Sequence, residues 1–296
     1  MTRRVIIDTD PGLDDAVAIL FALASGLFDV IGVTTLAGNI GLERTTANAG
    51  ALMRAMGRSD IPVISGAATA MLRDNIDASV IHGDDGLRGV TLPEALMSPQ
   101  SGAVDWLART LTDAPSGSID ILALGPLTNM AQLVTHHPAA AERIGHLIVM
   151  GGTIHEPGNA GPMAEFNFAF DPEAVSTVLR SGIKTTIVPL DVTRRVRADR
   201  PYVKALRHTP AGDIAANLIT AYLQDDRQSR PLHDPCVMLL AVAPGLFEIE
   251  RFRLGVDLAL DADAGTLRLS ETGSPVNVAM RVDVEGALAL LASAFD

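Results

Sequence analysis

The chain predicts an α/β fold, a mostly parallel sheet with helices on both faces and the active site at the C-terminal ends of the strands. Two observations carry this. Short β-branched runs alternate with helical patterns, which is the rhythm of βαβ units. The runs end in glycine, asparagine or aspartate, and in parallel sheets ligands sit where the strand ends open.

Val5-Ile6-Ile7 reads as a buried strand, Pro11-Gly12 as a turn, and Asp14 onward as a helix with apolar residues at Val17, Leu20, Phe21 and Ala24. Residues 29–36 form a β-branched run ending at Ala37-Gly38-Asn39, and a helical pattern covers 42–56. The strand at 119–124 is broken by Gly125-Pro126 and followed by a helix near 127–134. Further strands fall at 146–150, ending in Gly151-Gly152, and at 184–190, stopping at Asp191. Asp171 before Pro172 reads as a helix N-cap. Three late runs, 252–258, 266–269 and 277–282, add strands, and a helix from about Val284 closes the chain. No linker, repeat or low-complexity segment interrupts the pattern, so residues 1–296 are read as one domain.

The formal charge is −12, spread along the chain, which repels phosphate backbones and disfavours a nucleic-acid partner. Only two lysines occur, Lys184 and Lys204, and neither follows a glycine, so a phosphate-cradling P-loop is excluded. The single cysteine, Cys236, rules out an internal disulfide and a cysteine-rich zinc site, and its apolar neighbours make it a core residue. The first ten residues turn acidic after three apolar positions and do not read as a signal peptide. No apolar run approaches the ~18 residues of a membrane span, so the expectation is a cytoplasmic protein.

The most informative feature is the run Asp8-Thr9-Asp10-Pro11-Gly12-Leu13-Asp14-Asp15. It gathers four carboxylates at a strand end and the mouth of the next helix, where like charges raise each other's pKa. A helix N-terminus offsets about 0.3–1 kcal/mol per charge, too little for four. Capping explains one carboxylate, not a cluster. A bound divalent cation resolves the repulsion. The run is not an EF-hand, because the twelfth position counted from Asp10 is Phe21, where a glutamate is required.

Other polar groups should converge on the same crevice: Asn39, the turn after Leu124, the segment after Met150, and Asp191. Glu165 and Asn167 lie two apart, which in an extended segment puts them on one side, and a carboxylate beside an amide suits sugar hydroxyls. His233-Asp234-Pro235 offers Asp234 either as a helix cap or as a further cation ligand, with His233 free to donate a proton. His136 and His137 end a helix, and His146 and His208 read as surface residues. Residues 81–89 and 224–230 read as loops able to close over a ligand.

Taken together these residues resemble the inosine-uridine-preferring nucleoside hydrolases. The opening aspartate run carries the likeness, and Gly38-Asn39, Ile81-His82-Gly83, Gly125-Pro126-Leu127-Thr128-Asn129, Met150-Gly151-Gly152, Ala164-Glu165-Phe166-Asn167 and His233-Asp234-Pro235-Cys236 follow in order. The resemblance implies a Rossmann-like fold, a homodimer or homotetramer, and calcium-dependent hydrolysis of the N-glycosidic bond of ribonucleosides. It implies that Asp10, Asp15 and Asp234 ligate calcium with their carboxylates and Leu124 with its carbonyl. Asp14, Asn39 and Asn167 would hold the 2′- and 3′-hydroxyls, Asn159 and Glu165 the 5′-hydroxyl, with Met150 lining the sugar pocket and Asp8 in support. Asp10 would be the general base toward a calcium-bound water, and His233 the acid for the departing base. His82 beside His233 resembles members that act on pyrimidine or on both base classes, and Tyr222 would contact the base.

Two rivals use the same residues differently. A haloacid-dehalogenase-like phosphotransferase also opens with Asp-x-Asp, but it commonly has Thr or Val where this chain has Gly12 and does not require Asp14-Asp15. A non-catalytic calcium-dependent nucleoside- or sugar-binding protein leaves the pairing of Asp10 with His233 without a purpose.

Overall fold

The first strand, β1 (Arg3–Thr9), is buried from Val5 onward, as expected of a strand covered on both faces. In this computed structural model, which describes residues 2–76, 78–95, 99–206, 209–224 and 227–296, β1 lies in the middle of a ten-stranded sheet. The other strands are β2 (Phe28–Thr35), β3 (Val63–Ser65), β4 (Gln100–Ser101), β5 (Asp120–Ala123), β6 (Leu147–Met150), β7 (Thr185–Val188), β8 (Arg197–Asp199), β9 (Ser229–Pro231), β10 (Phe247–Val256), β11 (Leu267–Leu269) and β12 (Ser274–Val282). The sheet order is β11-β10-β12-β7-β6-β5-β1-β2-β3-β4, and β8 pairs with β9 in a separate antiparallel ribbon. From β12 through β4 every pairing is parallel; only β10 runs antiparallel to β12 and β11.

The period of two along the strands divides the core. Val5, Ile7, Leu122 and Ile148 pack on one face, against the helices Leu13–Ala24, Pro210–Leu223, Pro235–Val242 and Val284–Ser293. Ile6, Ile121, Leu147 and Val149 pack on the other, against Ala103–Asp113, Thr128–His136 and Pro172–Arg180. Each fully buried Leu or Ile contributes about 1.5–3 kcal/mol, so both layers hold the strand ends firmly.

The α/β architecture agrees with the sequence expectation, and the structure corrects several details. The short strands β3 and β4 and the β8–β9 ribbon carry too little pattern to be read from sequence, and the helix Ala103–Asp113 was missed although Ala103, Leu107, Ala108 and Leu111 fall on one face. Residues 165–167 are not one extended segment: Glu165 keeps extended backbone but caps a helix at Phe166–Phe170, accepting from the N–H groups of Asn167 and Phe168. Asp171 does cap Pro172–Arg180, taking the Ala174 N–H, and it also accepts from Thr128 Oγ1 and Met71 N. His146 is partly buried and bonds Thr186 Oγ1 at 2.8 Å; burial pushes its pKa down to about 4. His208, and Asp225 and Asp226 of the second loop, lie outside the described residues. Cys236 is buried in the core. Among the described residues no helix is long and apolar enough to cross a membrane.

Candidate active site

Three segments bring four carboxylates together. Asp10 follows β1, Asp14 and Asp15 occupy the first turn of the helix Leu13–Ala24, and Asp234 is the N-cap residue of Pro235–Val242. Its side chain makes no capping bond, so its carboxylate is left for another partner. Oxygens of Asp14, Asp15 and Asp234 lie within 4.8 Å of one another. At that separation two full charges repel by about 3 kcal/mol even at an effective dielectric of 20. All four carboxylates are almost completely removed from solvent.

The hydrogen bonds show which oxygens are committed. Asp15 is held by Thr9 Oγ1 (2.6 Å), Gly12 N (3.1 Å) and Asn39 Nδ2 (2.9 Å). Asp10 Oδ2 accepts from Asn39 N at 2.6 Å, while Asp10 Oδ1 is buried with no hydrogen-bond partner among the described residues. Burial, with Asp15 beside it, holds the Asp10 carboxyl well above the usual range. Asp14 is raised to about 7 by burial and Asp15, opposed by the backbone N–H groups of His233 and Asp234. Asp234 is raised by burial and by Asp14, Asp15 and Asp10. Such a set binds protons or a cation; it does not stay charged alone. Every donor is oxygen, which fits a hard divalent ion, and the orphaned Asp10 Oδ1 supplies a free lone pair.

Glycine makes the close approach possible. A Cβ on Gly38 would overlap Asp10 Oδ2, and one on Gly125 would overlap Asp10 Oδ1. Beneath the cluster, Asp8 is fully buried and bonded to Thr34 Oγ1 (2.5 Å) and Asn129 Nδ2 (2.8 Å). Burial raises it to about 6, and it braces the strand end without lining the cavity.

Asp14 and Asp234 line one cavity of about 200 Å³, whereas Asp10 and Asp15 lie outside its lining. Asn39, Leu124, Met150, Asn159, Glu165 and Asn167 line it as well. Asn167 Nδ2 donates to Leu124 O (2.7 Å) and Met150 O (3.2 Å), which leaves Leu124 O one further lone pair. Glu165 accepts from Gly152 N, Asn167 N and Phe168 N, yet complete burial lifts its pKa to about 7. Asn159 Oδ1 accepts from Phe166 N at 2.8 Å. Asp191 is the exception to the expected convergence: it takes the N–H groups of Ile154, His155 and Glu156 and the hydroxyl of Thr153, and so shapes the loop after β6.

The second end carries aromatic rings with the Arg230 guanidinium beside them, and its His82 reaches back to the first turn of the helix Leu13–Ala24. His82 stacks on Tyr222, with ring centroids 6.1 Å apart, and the Arg230 guanidinium lies 4.8 Å above the Tyr222 ring. His82 Nδ1 accepts from Leu13 N at 3.1 Å, and burial lowers its pKa to about 4. His233 is lowered to about 3 by burial, with Arg194 and Arg197 adding to it. Gln224, with its amide oxygen toward the two guanidiniums, accepts from Arg88 Nη2 (2.8 Å) and Arg230 Nη2 (3.2 Å), tying the two loops together. Ile81, Phe166, Arg194 and Arg230 also line the cavity and were not singled out in the sequence. The two arginines follow no motif; only their position beside predicted strand or loop ends could have marked them.

Comparison with known proteins agrees with this geometry. Residues 5–289 match the inosine-uridine preferring nucleoside hydrolase family, and the chain belongs to it. It is a nucleoside hydrolase, an N-glycosyl hydrolase in class. It is 37% identical to a pyrimidine-specific ribonucleoside hydrolase of Citrobacter koseri, over 96% of this chain and 95% of that one. A plant nucleoside hydrolase superposes with a TM-score of 0.93 at 33% identity, covering 100% of this chain and 99% of the other. A purine-preferring ribonucleoside hydrolase from Gardnerella vaginalis gives 0.91 at 28% identity, covering 99% and 98%.

Proposed function

We propose that this enzyme hydrolyses ribonucleosides to ribose and free base with calcium bound, and prefers pyrimidine nucleosides, with inosine as a secondary substrate. The observation that carries the reading is a single cavity whose one end is a buried acidic cluster and whose other end is a neutral imidazole–phenol stack. The base preference draws support from His82, Tyr222 and His233 at that second end, and from the pyrimidine-specific Citrobacter relative.

Asp10, Asp15 and Asp234, with the Leu124 carbonyl, would hold the ion, and Asp14 lies close enough to share it. Bound there, calcium supplies the positive charge that fixes vicinal hydroxyls and makes water more acidic. Asp14, Asn39 and Asn167 bind the 2′- and 3′-hydroxyls; Asn159 and Glu165 bind the 5′-hydroxyl against Met150. The buried amides and carboxylates orient ribose before reaction, which is the positioning contribution to the rate.

Asp10 Oδ1 is the oxygen free to take a proton from water as that water's oxygen bonds to C1′. The C1′–N bond breaks with its electron pair moving to the base, through an oxocarbenium-like sugar. His233 gives a ring proton to the base nitrogen from its imidazolium form, the minor form at neutral pH because burial and the nearby arginines disfavour it, and is left as the neutral imidazole. Solvent then returns a proton to His233 and removes one from Asp10, so the balance is nucleoside plus water to ribose plus base.

The test is a reducing-sugar assay on uridine, cytidine, inosine and adenosine, with chelator and with calcium restored. The expected result is calcium-dependent ribose release, fastest from uridine or cytidine. No release from any of the four with calcium bound would refute the reaction and favour a binding protein.

A further inference from the structure

Thr193 ends the short helix Leu190–Thr193 and is fully buried. Its Oγ1 lies 2.7 Å from Nδ1 of His233, forty residues further along the chain. A threonine hydroxyl has one hydrogen to give and two lone pairs, and a buried hydrogen of this kind needs an acceptor. The carbonyl one turn back, Pro189 O, already takes the N–H groups of Val192 and Thr193, each at 3.0 Å. Among the described residues, His233 Nδ1 is the one acceptor recorded for the hydroxyl.

That contact fixes the ring chemically as well as spatially. When Nδ1 accepts, the hydrogen of a neutral imidazole sits on Nε2. When both nitrogens are protonated, Thr193 Oγ1 accepts from Nδ1–H and Nε2 still carries hydrogen. The disfavoured form is the neutral ring with its hydrogen on Nδ1, which strands the hydroxyl proton. His233 lines the cavity, and its Nε2 has no protein partner among the described residues.

We propose that Thr193 is a positioning residue of the hydrolysis, holding His233 in one orientation so that an Nε2–H faces the departing base. The inference rests on the reading of His233 as proton donor to the leaving group. It adds a second residue to the donor arrangement, in the way a base or acid is oriented by a group behind it.

The experiment compares Thr193→Val, Thr193→Ser and His233→Ala on uridine and on p-nitrophenyl riboside, whose leaving group departs as a stable anion. Thr193→Val should lose about tenfold or more in kcat on uridine and less than about twofold on p-nitrophenyl riboside, by the logic of an acid that has lost its orientation. Thr193→Ser should restore most of the loss, and His233→Ala should show the same split more strongly. Calcium affinity should be the same in all four proteins. Nitrogen-15 spectra of the imidazole rings should show His233 of the wild type carrying hydrogen on Nε2, and mixed tautomers in Thr193→Val.

If His233→Ala shows the split and Thr193→Val does not, the role of Thr193 is overturned and the donor reading stands. Equal losses by His233→Ala on both substrates overturn the donor reading, and the inference with it. Should the valine variant not fold, a wild-type neutral ring with hydrogen on Nδ1 refutes the inference unaided.

Discussion

The two ends of the cavity are built in different ways. At the acidic end the carboxylates leave a strand end or a helix N-terminus, and Asn39 pins two of them, Asp10 and Asp15. At the base end, His82 lies on a four-residue helical turn, and the chain around Tyr222 is joined to it through Arg88, Gln224 and Arg230 near the surface. The frame of the sheet fixes the chemistry, whereas side-chain contacts between loops fix what sits beside it. Substitutions at the first end should therefore damage every substrate alike, and those at the second should reorder substrates.

The strongest way to break this contrast is Asp10→Ala. It removes the proposed base and a proposed cation ligand, and turnover should fall by about a thousandfold or more on every nucleoside. A variant keeping over a tenth of wild-type kcat with calcium bound would remove Asp10 from the base role. Gly125→Ala comes next. The added methyl would overlap Asp10 Oδ1, so calcium affinity and kcat should both drop, by about a hundredfold, at a stability cost of about 1–3 kcal/mol. Unchanged calcium affinity in calorimetry would show that the Asp10 pocket has more room than its geometry gives.

Tyr222→Ala probes the other end. It should alter kcat/KM about tenfold on nucleosides, unequally between uridine and inosine, with calcium affinity unchanged. Equal losses on both bases would place Tyr222 outside base selection.

The same division decides what the sequence could reveal. The aspartate run, the strand ends and the cap at Asp171 were legible because charge density, β-branched runs and Asp-Pro pairs are local signals. Glu165 and Asn167 are legible as polar partners although a helix starts between them, since residue type survives an error in conformation. Asp191 was misjudged: a carboxylate after a strand can serve the site or a loop, and only its bonds to Ile154, His155 and Glu156 tell them apart. Thr193 gave no signal, because it acts through a partner set by tertiary packing, and Arg230 showed only as part of a charged loop. The short strands β3 and β4 lack the length for a period.

The smallest expected effect concerns Glu165. Its pKa rises from 4.5 unfolded to about 7 folded, so the folded state holds the extra proton between those values. Its contribution to stability is full below about pH 4.5 and is lost as pH rises through about 7. Glu165→Gln lacks that loss, so without ligand the variant should gain stability relative to wild type as pH rises from 4.5 to 7. A stability difference independent of pH in denaturant titrations would show that Glu165 is solvated or already paired.

The central claim, that the acidic end holds one divalent ion needed for reaction, is tested most directly by adding calcium back to chelator-stripped protein. Binding by calorimetry and ribose release from uridine are followed on the same samples. One ion per chain, with activity rising in step with occupancy and both lost in Asp10→Ala, is the predicted result. Full activity in the stripped protein, or calcium binding indifferent to loss of Asp10, would contradict it.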